Sequence, residues 1–270
     1  MPRLGLGLGL TMGGNILGVG LSAESLAWEA RIIANGGTIP SATLQIFDTH
    51  FFKPAIANGN ILTELDRLNI YCGLNGYEIA ARTNIIKSAH FVTPVSSPTF
   101  DNNGYRSAGT GYLNLNYTAS TQAVKYTLNS NTLFAIVKEP LYAGTRRMIG
   151  NTNAGFRTDL VRESDQLTAF NMNPSRANTN IVTTGNVLLA TRRTNSANFD
   201  AIINANVSNG AGVSVAINNF TMFELTTNGS GTPDGNYEDK SHLTSGCGSG
   251  SLDLTNLRII LNNLYTALGV

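Results

Sequence analysis

From about Thr83 onward the chain is a succession of short apolar runs, each cut off by turn chemistry. That rhythm constrains the fold more than any other feature. The runs include TNII, GYLNLNY, NTLFAIVKE, RRMIGN, FRTDLV, QLTAFNM, NVLLATRRT, FDAIINA, GVSVAI and FTMFEL, with Gly, Asn, Ser, Thr and Pro between them. Runs of this length are too short for core helices, and many short strands at such spacing predict a β-sandwich or jelly roll. Tyr112, Leu113, Leu115 and Tyr117 read as a strand with one wet face. NVLLATRRTN turning into ANFDAIINA around Asn195 and Ser196 reads as a hairpin.

Ahead of this region the period changes. Ser22 can cap a helix with Glu24 in its first turn and Leu26, Ile32 and Ile33 among its apolar positions, ended by Asn35-Gly36-Gly37. A second helix starts after Pro40-Ser41, carries Leu44, Phe47 and Phe51, and is expected to stop at Pro54. A third, short one begins near Asn60, and Leu68–Gly73 reads as a strand. Trp28 is expected in the core. At the far end Leu257, Ile260, Leu261, Leu264 and Leu268 form one apolar helical stripe behind Asp253 as N-cap. The expected organisation is an arm over 1–22, a helical anchoring region over 23–82, a sandwich over 83–251 and a C-terminal helix over 252–270. That helix should pack on the helical region or the sandwich.

The opening stretch, MPRLGLGLGLTMGGNILGVGLS, has no charge between Arg3 and Glu24. Its glycines would each cost a helix about 1 kcal/mol relative to alanine. Leu4, Leu6, Leu8 and Leu10 alternate with glycine, which is strand periodicity with one bare face. The segment therefore reads as a retained arm that docks on a partner through these leucines with Ile16 and Leu17. A membrane-contacting segment and a cleaved leader are the competing readings.

Charged residues make up only 13% of the chain and the net charge is +1, so no electrostatic case for nucleic acid exists. Arg146-Arg147 and Arg192-Arg193 fall within strands, where one of each pair faces outward, and interface salt bridges are expected for them. Cys72 and Cys247 are expected as two separate buried thiols. His50, His90 and His242 have no neighbour at metal-ligand spacing. No Glu-x-Asp-x-x-Glu run places paired carboxylates on one strand face, and no nucleophile elbow appears, so no enzyme is expected. Asp159, Glu163 and Asp165 read as a solvated hairpin tip. Asp234, Asn236, Glu238 and Asp239 form part of a calcium-type loop, although Asx-rich loops are usually plain turns and no cofactor is expected. Glycan binding needs aromatic faces beside planar polar groups. The candidates are Tyr105, Tyr112, Tyr117 and Tyr237, with Asp234 and Asn236 in the loop and Asn102 and Asn103 on a turn.

Several stretches taken together carry a resemblance. They are IPSATLQIFDTHFFKPAIANGNILTELDRLNIY, SSPTFDNNGYRSAGTGYLNLNYT, NTLFAIVKE, NGSGTPDGNYEDK and GSGSLDLTNLRIILNNLYTALG. Their order resembles concanavalin A-like (laminin G-like) structural proteins of phages infecting Bacteroidota, over most of Ala23 to Gly269. The resemblance implies a mainly β, concanavalin-like jelly-roll sandwich with a small N-terminal helical region and a C-terminal helix. It also implies a non-enzymatic place in the virion as head fibre, decoration or tail-associated adhesion component. The expected partners are capsid, collar or tail proteins, further copies of the chain (a trimer foremost) and a host surface glycan. A free carbohydrate-binding lectin and a vertex or spike protein of a membrane-containing phage are the alternatives. A polysaccharide hydrolase comes last.

Overall fold

A computed structural model describes residues 20–139, 144–153, 155–163, 166–180 and 185–270. The arm residues Leu4, Leu6, Leu8, Leu10, Ile16 and Leu17 lie outside the described residues, as does Asp165.

The helices are α1 (Ala23–Ala34), α2 (Ser41–Phe47), α3 (Lys53–Ala57), α4 (Glu78–Arg82), α5 (Ala119–Gln122) and α6 (Leu254–Leu268). The strands begin with β1 (Leu65–Ile70), β2 (Thr93–Val95), β3 (Thr99–Asp101), β4 (Gly104–Arg106) and β5 (Tyr112–Asn114). Then follow β6 (Asn131–Lys138), β7 (Thr145–Asn153), β8 (Phe156–Glu163), β9 (Gln166–Asn173), β10 (Arg176–Asn180) and β11 (Asn186–Arg193). The last are β12 (Asn198–Ile203), β13 (Asn206–Ala211), β14 (Phe223–Glu224), β15 (Asn228–Gly229), β16 (Thr232–Pro233) and β17 (His242–Gly248).

Two sheets result. The first runs β13-β12-β11-β6-β17-β4-β3, with β1 also paired to β17; the second runs β10-β9-β8-β7-β14-β5-β2, with the β15–β16 hairpin beside β7. Among the described residues all but one of the strand pairings are antiparallel; β15 runs parallel to β7. The expected sandwich is therefore present, and β11 and β12 form the expected hairpin. The strand read at Leu68–Gly73 begins earlier, at Leu65, and pairs with β17. It lies within the 23–82 segment, so the helical region and the sandwich share one apolar core running from Trp28 to Tyr265.

The helices form a third layer on the outer face of the first sheet. α6 starts at Asp253, whose carboxylate accepts the Asn256 N–H at 2.9 Å. It buries Leu257, Ile260, Leu261 and Leu264 and donates the Tyr265 hydroxyl to Thr244 Oγ1 on β17 at 2.6 Å. Ser22 caps α1 as expected, but the buried face is Ser25, Trp28 and Ile32, while Leu26 and Ile33 are exposed. Trp28 sits fully buried with its ring centroid 4.8 Å from Phe47 and 5.9 Å from Phe52. Pro54 does not stop the second helix, which continues to Ala57. A π-turn over Asp48–Phe52 widens the helix just before the proline, where a missing N–H and a bulky ring are tolerated. Asp48 in that turn accepts the Ser22 N–H at 2.8 Å and its hydroxyl at 2.5 Å, tying α1 to the second helix.

Between the sheets lies a buried polar network. Tyr71 and Ser245 each donate a hydroxyl to Glu224 Oε2 at 2.7 Å, and His242 Nδ1 lies 2.7 Å from Glu224 Oε1. Arg67 donates to Tyr71 Oη at 3.0 Å and to Ser245 Oγ at 3.2 Å. β1 and β17 of one sheet are thereby bolted to β14 of the other. Cys72 and Cys247 are free, separate and buried, and burial pushes the Cys247 thiol up to about 12. Among the described residues no helix is long and apolar enough to cross a membrane.

Candidate functional site

Among the described residues the second sheet has no helix layer on its outer face, and the chemistry gathers there. Period-2 alternation sends Thr158, Leu160 and Arg162 of β8 inward and Arg157, Asp159 and Val161 outward. The register sets Gly150 of β7 opposite Asp159, Arg147 opposite Val161, and Phe223 of β14 opposite Gly150. Val161, Phe170 and Phe223 are buried yet stand apart from the main core, because they belong to this second face.

Asp159 is the hub. Its Oδ2 accepts from Arg157 at 2.6 Å and from Arg147 at 3.3 Å. Arg147 reaches on to Asp234 at 3.4 Å, and the Arg157 guanidinium lies 3.8 Å over the Phe170 ring. Burial pushes the Asp159 carboxyl up, against the pull of Arg157 and Arg147. Asp159 is fully buried in mid-strand, so the reading of a solvated hairpin tip is corrected. Two ion pairs make that burial tolerable. Arg147 also corrects the expectation of an interface salt bridge, since its partners are in its own chain. Of the other pair, Arg192 bonds Asp200 at 2.8 Å, while Arg193 turns inward to the Asn171 and Gly212 carbonyls.

The loop carrying Asp234, Asn236 and Tyr237 is laid against β7. The Arg147 N–H donates to the Asn236 carbonyl at 2.7 Å, and the Glu238 N–H to the Leu225 carbonyl at 2.8 Å. Gly235 and Asn236 both take positive φ, which the Asp-Gly-Asn sequence allows with little strain. Below the loop, Glu238 turns inward and forms a fully buried two-point pair with Arg162, at 3.1 Å and 2.7 Å. Alternation then places Tyr237 on the outer face. Tyr112 of β5 stands beside it, its centroid 4.7 Å from Phe223. Burial, and then the neighbouring Tyr237 phenol, push the Tyr112 hydroxyl up.

Four of the five leading candidates from sequence thus meet: Tyr112, Asp234, Asn236 and Tyr237. Tyr105 does not. It is fully buried on the other sheet, packed on Phe100 and Tyr71, with its hydroxyl donated to Glu78 at 2.5 Å. Period 2 put its ring on the inner side of β4. Tyr117 is buried too, with its ring against His90. Asn102 and Asn103 lie at the β3–β4 turn on the first sheet, where Asn103 accepts from Lys138 at 2.8 Å. The calcium-type oxygens do not converge, because Asp234 points to Arg147 and Glu238 to Arg162. Among the described residues no cluster of three His, Cys, Asp or Glu is arranged to hold a metal. Sequence reasoning missed Arg147, Arg157 and Asp159 as site residues. The available signal was the shared outward parity of Arg157 and Asp159, two apart on one strand.

No protein-family model matches the chain, and no curated protein matches it by sequence. Solved structures match by shape. The Trypanosoma rangeli sialidase, in complex with 2,3-difluoro-KDN, aligns at TM-score 0.50 and 12% identity over 83% of this chain and 40% of its own. The botulinum neurotoxin type C structure, described with cell entry dependent on two ganglioside molecules, aligns at TM-score 0.50 and 12% identity over 77% of this chain and 53% of its own. The chain thus spans about half the length of these neighbours or less. At this identity the likeness is one of fold alone: a mainly β, jelly-roll-type sandwich of two sheets with a C-terminal helix.

Proposed function

We propose that the chain is a non-catalytic glycan-binding module carried on a phage particle. The observation that carries the glycan reading is the meeting of Tyr112, Tyr237, Asp234 and Asn236 on the sheet face that none of the described helices covers. Half-buried rings offer a sugar their faces, and the carboxylate and amide beside them accept and donate to its hydroxyls. The Arg162–Glu238 and Arg147–Asp159 pairs hold these groups in place before any ligand arrives, which lowers the ordering cost of binding. The neurotoxin's interaction with gangliosides gives glycan recognition on this fold a precedent. Support for the particle placement comes from the sequence resemblance, the low charge content and the leucine-glycine arm.

A glycan array probed with the purified chain tests the first part. At least one binder is expected, with affinity lowered about tenfold, some 1.4 kcal/mol, in Tyr237→Ala and in Asp234→Ala. An array without binders, or binding indifferent to both changes, overturns it. Release of shortened products from the bound glycan would overturn the non-catalytic reading. Co-purification with intact particles at fixed stoichiometry tests the placement, and a chain absent from purified particles rejects it.

A further inference from the structure

A surface helix buries one stripe and presents charged or polar residues on the opposite one. α1 departs from that rule. Its buried face is Ser25, Trp28 and Ile32, and all six of its exposed residues are apolar: Ala23, Leu26, Ala27, Ala30, Ile33 and Ala34. At about 100° per residue these six gather on the side away from Trp28. Leu26 is 40% exposed and Ile33 59%. α6, in the same helical layer, instead turns Thr255, Asn263 and Thr266 outward beside Ile259. The charged residues of α1 border the apolar face. Glu24 and Arg31 lie on the flank next to Ala27, and Glu29 lies on the flank next to Leu26 and Ile33.

Arg31 is already held in position. Its guanidinium donates to the carbonyls of Asn84, at 3.2 Å, and of Ile85. Among the described residues neither Arg31 nor Glu24 has an ion-pair partner. Burial lowers the Arg31 pKa, and a carboxylate brought beside it would offset that cost.

The face is complementary to itself. Two α1 helices can lie antiparallel about a two-fold axis placed at the level between Trp28 and Glu29. Like flanks then meet. Ala27 comes level with Ala30 of the other copy, and Ala23 with Ala34. The centre line is therefore all alanine, and the axes can approach to about 8 Å. On one flank Glu24 meets Arg31 of the other copy, offset by two residues or about 3 Å along the axis. On the other flank Leu26 meets Ile33 with the same offset. In a parallel pair the Glu24 flank would instead face Leu26 and Ile33.

We infer that α1 is the surface through which the chain associates with a second copy of itself. The two helices pack antiparallel, with reciprocal Glu24–Arg31 pairs on one flank and Leu26–Ile33 contacts on the other. The occupant is a second copy because each exposed apolar residue and each of these two charges finds its match on the same helix. The glycan reading is independent, since its residues lie on the second sheet.

The test uses the full chain. One face of a 12-residue helix is a small contact, so the dimer should dissociate on dilution. Sedimentation across a dilution series should show the mass of two chains giving way to that of one. Leu26→Glu and Ile33→Glu should each raise the dissociation constant by about tenfold or more. Glu24→Arg should also raise it, by setting two arginines against each other, whereas Glu29→Arg should leave it unchanged. An unaltered circular dichroism spectrum and melting temperature in each variant separate loss of docking from loss of fold. A chain that is monomeric at every concentration, or a mass of three chains, would overturn the proposal. So would a dimer indifferent to Leu26→Glu and Ile33→Glu, or one weakened by Glu29→Arg and not by Glu24→Arg.

Discussion

Arg147 holds its guanidinium 3.3 Å from the Oδ2 of Asp159, a carboxylate that reaches no solvent. The same guanidinium meets Asp234 at 3.4 Å, so a buried charge fixes the position of a surface one. Asp159→Asn should therefore act at a distance. Stability should fall by about 3 kcal/mol, the low end for breaking a buried pair, because burial already disfavours the charged form. On the glycan reading proposed above, affinity should fall as Asp234 loses its tether. Urea unfolding and array titration of the same variant check both.

Glu224 is the meeting point of the inter-sheet network. Burial alone would raise its carboxyl, but His242, Arg67 and Tyr71 outweigh burial and hold it low. Glu224→Ala leaves Arg67 and His242 buried without their counter-group and should cost about 3–5 kcal/mol. Tyr71→Phe removes one hydrogen bond and should cost about 1–2 kcal/mol. Equal effects in denaturant unfolding would show that the network does not centre on Glu224.

Asp48 gives a pH signature. Burial would raise its carboxyl; the Lys53 ammonium, 2.8 Å away, and two bonds from Ser22 prevail and hold it below its usual range. The unfolded chain then binds the proton more readily than the folded one. The contribution is fully present above about pH 4 and is lost as pH falls through the depressed folded value. Asp48→Asn should be less stable at neutral pH, and its stability should fall less steeply below pH 4. Thermal unfolding from pH 3 to 7 measures both slopes.

Gly150 lies on the site face with φ +132°, where an added Cβ would come 2.2 Å from the Thr158 carbonyl oxygen and 2.6 Å from the Asp159 Cα. Both are backbone atoms that cannot swing aside. Gly150→Ala should destabilise by more than about 2 kcal/mol and disturb the ligand face. A melting curve unchanged by the substitution would contradict this geometry.

The sandwich was legible because turn residues and short apolar runs are local signals. The β11–β12 hairpin, the Ser22 and Asp253 caps and the α6 stripe each depend on neighbours within a few residues. Pro54 misled because its tolerance depends on a π-turn that no propensity announces. Leu26 and Ile33 misled because a short amphipathic helix leaves its phase to the packing of Trp28. At the site, the Asp234–Tyr237 loop could be read from its turn chemistry. Asp159 could not, because its burial is produced by Arg147 on a different strand, and the pairing of β7 with β8 sets their distance. Tyr105 and Tyr112 look alike in sequence; the sheet that each strand joins and the side its ring takes separate them.

The lopsided layering of the molecule has a consequence for how it can be displayed. Among the described residues, helices α1 to α3 and α6 shield one sheet and leave the other bare, and Ser22 is tied to Asp48 on the shielded side. Whatever the chain is moored to through that side, the bare sheet looks the opposite way. A contact made through the helices would thus leave the second sheet open on the opposite pole of one small body, with no hinge needed between the two.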